Sequence, residues 1–152
     1  KLFRPDSIDY IHDPARIGKL SRVISINGGV QVDLMGQENA ESANGMQLSG
    51  IGGQMDFLEG AFRSEGGCGY ICINSSRLTK DGVRKSNILP FIPGGSTVSA
   101  PRTLIEAVAT EYGIAHLAGK SLAERREAMI AIAHPDFRDA LRSEKPDLSR
   151  FL

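Results

Sequence analysis

Apolar residues in this chain come in short runs, and the period of those runs limits the fold more than any other feature. Ile24, Ile26, Val30, Val32 and Leu34 stand at every second position of 23–34, on both sides of Asn27-Gly28-Gly29. Period two marks strands, and Asn-Gly between two such stretches predicts a hairpin turn. Residues 69–73 read as a further strand, 85–92 as another that ends near Pro90 and Pro93, and 105–109 as a buried strand running into Thr110-Glu111-Tyr112-Gly113. Between them Met55, Leu58, Ala61 and Phe62 recur at helical spacing over Gln54–Arg63. The last third is helical: Ser121 and Glu124 form a capping box ahead of an apolar face of Leu122, Met129, Ile130 and Ala133, along which Arg126 can lay its stem. Pro135 stops that helix and starts another, with His134 as its cap and Phe137 and Leu141 at i and i+4. Strands and helices alternate too irregularly for a simple βαβ series, so the fold class is α/β with a mixed sheet.

Two stretches lack a clear period. Residues 1–18 hold Pro5, Pro14 and several charges and read as turns with a short helix. The polar, glycine-rich residues 36–53 read either as an ordered loop over a site or as a mobile surface loop.

With 152 residues the chain makes one ordinary domain with a proper core. Its 18 basic and 18 acidic residues cancel, which argues against a nucleic-acid partner. No apolar run approaches the ~20 residues of a membrane span, and no signal-peptide pattern opens the sequence. Cys68 and Cys72 share a strand face roughly 13 Å apart, too far to bridge, so a reducing cytoplasm is expected. The first residue, Lys1, suggests a fragment, a processed product or a trimmed chain.

Three segments can carry chemistry. In Gly50-Ile51-Gly52-Gly53-Gln54 three glycines precede a helix, leaving bare N–H groups beside a helix N-terminus, a site for an oxyanion or phosphate; a plain flexible loop fits equally. Asn27 could donate its amide to a developing oxyanion, although turn chemistry alone accounts for Asn-Gly. Glu111, at the end of an apolar strand, could face a cleft or cap the next turn. His12, His116 and His134 show no metal-ligand spacing with one another or with the cysteines, so no metal is expected.

Taken in order, these segments resemble the acetyl-CoA hydrolase/4-hydroxybutyrate CoA-transferase family. The resemblance lies in Ile26-Asn27, Val32-Asp33-Leu34, Gly36-Gln37, Asn39 and Glu41-Ser42. It continues in Gly50-x-Gly52-Gly53-Gln54-x-Asp56-Phe57-x-x-Gly60-Ala61. It is most specific in Thr110-Glu111-Tyr112-Gly113-x-Ala115-x-Leu117-x-Gly119-Lys120-Ser121-Leu122-x-x-Arg125, followed by Ile132-Ala133-His134-Pro135-x-Phe137-Arg138. The match runs from about residue 13 to residue 141.

The resemblance implies one lobe of a CoA-transferase-like (NagB/RpiA-like) fold, spanning 1–152 with an opening segment over 1–18 and a tail over 143–152. It implies an enzyme that moves CoA between carboxylic acids through a glutamyl-CoA thioester, with the attacking glutamate in an N-terminal lobe outside this chain. Asn27, Gly52 and Gly53 would stabilise the oxyanion and Glu111 would order the site. Gly50, Gly52, Gly53 and Gln54 would meet CoA, with Arg77, Lys80 and Lys85 as candidates for its phosphates or pantetheine arm. No permanently bound cofactor is implied; coenzyme A or acyl-CoA is substrate. The implied partners are the N-terminal lobe or a separate subunit, a small carboxylate and further copies of the chain, but no nucleic acid or membrane. A non-catalytic CoA- or nucleotide-binding module and a dimerisation domain are the rival readings.

The chain departs from the family pattern in three places. Gly28-Gly29 stand where Ser-Ala usually follows the asparagine. Arg102-Thr103-Leu104 lacks the acidic residue of the family's Arg-Asn-Asp. His12 replaces an asparagine ahead of Asp13-Pro14.

Overall fold

The computed structural model describes residues 3–43 and 45–144. Two helical turns open the chain, α1 (Ile8–Ile11) and α2 (Pro14–Ile17). The Asp13 side chain caps the second by accepting from Ala15 N at 2.9 Å, ahead of Pro14 in the first turn, where its missing N–H costs nothing.

The framework is a four-stranded sheet of β1 (Ile24–Gly28), β6 (Cys68–Cys72), β10 (Ala107–Thr110) and β11 (Gly113–His116), in the order β1-β6-β10-β11. β1, β6 and β10 run parallel and β11 returns antiparallel, with Ala107 opposite His116 and Thr110 opposite Gly113. A smaller sheet has the order β3-β2-β9, from β2 (Gln31–Asp33), β3 (Glu38–Asn39) and β9 (Ile88–Leu89). Two short hairpins complete the strands, β4 (Ser42–Ala43) with β5 (Met46–Gln47) and β7 (Ser76–Leu78) with β8 (Arg84–Ser86). The longer helices are α3 (Gln54–Arg63), α4 (Leu122–Ala131) and α5 (Pro135–Ser143). This is the expected α/β class with a mixed sheet and flanking helices.

The expected hairpin at Asn27 does not form. β1 pairs with β6 while β2 pairs with β3 and β9, so the two arms belong to different sheets. Gly28 is paired to Cys72 and lacks the positive φ of a type I′ turn. Alternation marks both arms as strands, but pairing depends on which partners bury each arm. All three residues of β2 are buried between its neighbours, whereas β1 leaves Ile24 52% and Ile26 68% exposed. Likewise the expected single strand over 85–92 is two, β8 and β9, in different sheets. The return strand β11 is a further element that the apolar period does not announce, since only Ala115 of its four residues is buried.

The helix at Gln54–Arg63 forms as its period predicts. Leu58 and Ala61 lie fully buried, and Gly69 on β6 leaves room for Leu58, whose Cδ2 would stand 2.8 Å from a Cβ there. Ser121 and Glu124 make the capping box, and His134 Nδ1 accepts from Asp136 N at 3.3 Å to cap α5. Arg126 does more than lay its stem on the core: its guanidinium donates to the carbonyls of Leu141, Arg142 and Glu144, groups that a helix end leaves without partners. The core gathers Val32, Leu34, Leu58, Ile71, Ile88, Val108, Leu117 and Met129 on one side of the large sheet, beneath α3 and α4. Truncating such a residue to alanine costs about 2–5 kcal/mol.

The first part of the polar, glycine-rich stretch, residues 36–43, carries β3 and β4 and is ordered by side-chain bonds. Asp33 Oδ1 accepts from the amides of Met35 and Gln37, both at 2.9 Å, and Asn39 Oδ1 from those of Glu41 and Ser42, at 3.1 and 3.0 Å. Cys68 and Cys72 are free thiols. Most of the expected tail, from residue 145, lies outside the described residues.

Candidate functional site

The parallel strands β1, β6 and β10 end on the same side, and in open α/β sheets ligands bind at the carboxyl ends of such strands. The link from α3 to β6 spans only residues 64–67, so α3 runs antiparallel to β6 and points its N-terminus at that same end. The Ser64 hydroxyl anchors the other end, donating to Leu20 O at 2.6 Å and accepting from Val23 N at 3.1 Å. Topology therefore brings the head of α3, the exit of β1 and the exit of β10 to one edge of the molecule.

Two of the expected residues sit there. Asn27, next to last in β1, is half-buried on the α3 side of the sheet, where its Nδ2 donates to Ser25 Oγ at 2.9 Å. Glu111 follows directly on β10. Its Oε1 accepts from the Ser75 hydroxyl at 2.6 Å and its Oε2 from the Ser75 amide at 2.9 Å. What burial it has works to raise the Glu111 pKa, but those two bonds, its own backbone N–H and the nearby His134 hold the carboxyl below its ordinary value. At the ends of β6 and β10 a cleft of about 410 Å³ is lined by Gly29, Cys72, Ile73, Asn74, Ala109 and Thr110.

The glycine loop opens onto a second, larger cleft of about 700 Å³. Gly52 adopts φ +59°, open to glycine and strained for other residues, and Gly53 is the N-cap of α3 without a side-chain cap. The N-terminal amides of α3 are left for water or a ligand. His12 stands over Gly53 so closely that a Cβ there would lie 2.2 Å from His12 Cε1. The imidazole is held by Asp56, Nδ1 to Oδ2 at 3.3 Å, and by the edge of Phe57. Gln54 turns inward: its side chain is buried and donates to Glu38 Oε2 at 2.8 Å. Gly50 lies exposed before the loop.

The basic candidates lie on the β7–β8 hairpin beyond β6. Arg77 and Lys85 are opposite one another, and Arg77 is engaged by Asn87 Oδ1. Lys80 is exposed in the hairpin turn, and Lys85 is exposed on β8. No group of three or more His, Cys, Asp or Glu side chains is arranged to hold a metal among the described residues.

Sequence reasoning missed Ser75, Glu38 and the cover that His12 gives the glycine loop. Only His12 left a trace, as a departure from the expected asparagine. Ser75 and Glu38 act through residues 36 and 16 positions away, which no local pattern reveals.

The open side of the large sheet carries Ile24 and Ile26 of β1, Tyr70 and Cys72 of β6, and Ile114 and His116 of β11. Ile24, Ile26 and Ile114 are 52%, 68% and 53% exposed.

Against known protein families, residues 1–145 match the acetyl-CoA hydrolase/transferase C-terminal domain. The chain is 46% identical to the butyryl-CoA:acetate CoA-transferase of Anaerostipes caccae over 134 residues, 88% of this chain and 30% of that protein. It is 46% identical to the 4-hydroxybutyrate coenzyme A transferase of Clostridium kluyveri over 138 residues, 91% of this chain and 32% of that protein. Among solved structures it superposes on RipA from Yersinia pestis with a TM-score of 0.77 at 42% identity, covering 88% of this chain and 29% of that one. The chain thus spans about a third of the length of the curated relatives it matches. A match over nearly all its residues, with the same fold in a solved relative, places the chain in the acetyl-CoA hydrolase/transferase family, as its C-terminal domain.

Proposed function

We propose that this domain completes the CoA thioester site of an enzyme that moves CoA between carboxylic acids, with water as a competing acceptor. The nucleophile in this reading is a glutamate on a lobe outside the chain. It attacks the acyl-CoA carbonyl and expels CoA thiolate to leave a mixed anhydride. The thiolate then attacks the glutamyl carbonyl, releasing the first carboxylate and leaving a glutamyl-CoA thioester for the acceptor acid. What supports the reading is that Asn27 and Glu111 stand at the carboxyl ends of parallel strands, the end to which the head of α3 with its Gly52-Gly53 amides also points.

Each group has work suited to its surroundings. The Asn27 carboxamide has a second N–H beyond the one given to Ser25 and can donate it to the thioester oxyanion. The bare amides at the head of α3, with the positive end of the helix dipole, suit the same charge or a CoA phosphate. Glu111, held ionised by Ser75, orders the wall opposite Asn27. Arg77, Lys80 and Lys85 reach out on a hairpin beyond the strand ends, suited to the phosphates of CoA. Ile24, Ile26 and Ile114 offer the remaining lobe an apolar sheet face, since parallel sheets are ordinarily covered on both sides.

The test uses the full-length protein that carries this domain, supplied with acetyl-CoA and a short-chain carboxylate. CoA transfer is followed directly, and the glutamyl thioester is trapped by borohydride and located by mass spectrometry. Transfer with a trapped glutamate outside this chain is expected, and none from the isolated chain. Turnover by the isolated chain, or a full-length protein that binds CoA without transferring it, would overturn the reading.

A further inference from the structure

Glu38 is fully buried, and the reaction proposed above gives it no part. Its backbone is fixed by the bridge to Ala100: Glu38 N donates to Ala100 O at 3.0 Å, and Ser99 N donates to Glu38 O at 2.8 Å. Its side chain reaches across the molecule. Oε2 accepts from the amide of Gln54, the first residue of α3, at 2.8 Å. Oε1 has no hydrogen-bond partner and faces Gly29, where a Cβ would stand only 2.8 Å away.

We propose that Glu38 is a positioning residue, whose buried carboxyl ties the head of α3 to β3, where Asn39 O accepts from Val30 N just beyond β1, and so sets the spacing between the two sides of the site. The proposal rests on the CoA-site reading for what the site does, and on geometry alone for the tie. It also accounts for Gly29. A methyl group there would meet the Glu38 carboxyl and crowd the methyl groups of Ile73 and Ile71 at 3.0 and 3.1 Å. Glycine at position 29 thereby makes room for the carboxyl at position 38.

The tie works best when Glu38 carries a proton. An ionised carboxylate with one oxygen bare inside a core is strongly disfavoured. Burial pushes this carboxyl up to about 7 despite the bond from Gln54, and the charge of Glu41 adds to the rise. Other groups that face it, Val32 on β2, Ala100, Gly29 and Gln54, carry no charge. Deprotonation should therefore loosen the head of α3 as pH rises through neutrality.

The experiment compares the full-length protein with its Glu38→Gln, Glu38→Val and Gly29→Ala variants and with the double variant Gly29→Ala/Glu38→Val. Infrared difference spectra read the protonated carboxyl band of Glu38 without reference to activity. That band should fade as pH rises through neutrality and be missing from Glu38→Gln. In transfer assays, Glu38→Val should lower kcat more than it raises KM, since a site misplaced by ~1 Å can lose about 100-fold. Glu38→Gln, which keeps a neutral acceptor for Gln54, should restore most of that loss and flatten the alkaline limb of the wild-type pH profile. Gly29→Ala should be tolerated far better when combined with Glu38→Val than alone. No protonated carboxyl band near neutrality, or an unchanged pH limb in Glu38→Gln, would overturn the tie. A wild-type protein with the band but no transfer would overturn the CoA reading and leave the tie standing.

Discussion

The Ser75 side chain and backbone together grip one carboxylate: the hydroxyl donates to Glu111 Oε1 at 2.6 Å and the amide to Oε2 at 2.9 Å. Ser75 follows β6 and Glu111 follows β10, so this pair locks the exits of two neighbouring parallel strands. The serine is fully buried, while the carboxylate it holds is exposed at the cleft edge.

Ser75→Ala should raise the pKa of Glu111, because one of the bonds that favour its charged form is lost. A group depressed on folding adds stability above its unfolded pKa and loses it as pH falls through the folded one. The variant should accordingly show a smaller acid-side loss of stability from this group. Carboxyl carbon shifts followed against pH report both; an unshifted Glu111 in Ser75→Ala would show that the serine does not hold it ionised.

Asn27→Ala in the full-length enzyme should lower kcat by ~10²–10³, or about 3–4 kcal/mol, with KM for acyl-CoA little changed, as for one lost oxyanion donor. Gly52→Val should be worse, since φ +59° is strained for a β-branched residue. Glu111→Ala should cost less and raise hydrolysis relative to transfer. Steady-state rates for both reactions decide it, and near wild-type kcat in Asn27→Ala would reduce that residue to a strand end.

Stability should fall as pH rises from 4.5 to about 7 on account of Glu38, because the folded state keeps a proton there that the unfolded chain releases. The whole effect is on the order of 3 kcal/mol at most, and absent from Glu38→Gln. Denaturant midpoints at both ends of that range test it. Parallel pH curves for the two proteins would count against a raised carboxyl.

The isolated domain should self-associate through its uncovered sheet face, and Ile26→Lys with Ile114→Lys should suppress this. Both positions are exposed, so the substitutions should leave the domain folded. In the full-length protein the same pair should weaken the assembly. Sedimentation at rising concentration provides the measurement, and a domain already monomeric throughout would remove the argument.

Lys80→Ala with Lys85→Ala should weaken CoA binding by the full-length enzyme, more at low salt than at high, if the hairpin meets the phosphates. Calorimetry at two salt concentrations is sufficient. An affinity unchanged at both would take these lysines out of the site and leave Arg77, engaged by Asn87, of the three residues named.

Local devices were legible in the sequence because their physics is local. The capping box at Ser121, the cap and proline at His134-Pro135 and the helix at Gln54–Arg63 each depend on residues within a turn or two. So did the family motifs, which together with the period of the apolar residues yielded the fold class. The candidate site residues were proposed by the same route. Their surroundings were not, since Asn27 with Ser25, Glu111 with Ser75 and Gln54 with Glu38 are set by pairings no spacing rule expresses.

Strand pairing was decided by tertiary structure. The two arms around Asn27 alternate as hairpin arms do, yet β1 found β6, beyond the whole glycine loop and α3, and β2 found β9. A strand takes the partner that lets both bury their apolar faces, and that choice depends on every other segment competing for the same core. Burial likewise turned Glu38 from an ordinary polar position into a carboxyl without water, with Gly29 lying against it. The sequence by itself determined which segments could be helix, strand or glycine-rich turn, because backbone propensity and capping act within a few residues. Which segments meet, and what electric environment each side chain meets there, came only from the packed fold, because desolvation and long-range pairing exist only once the chain has closed on itself.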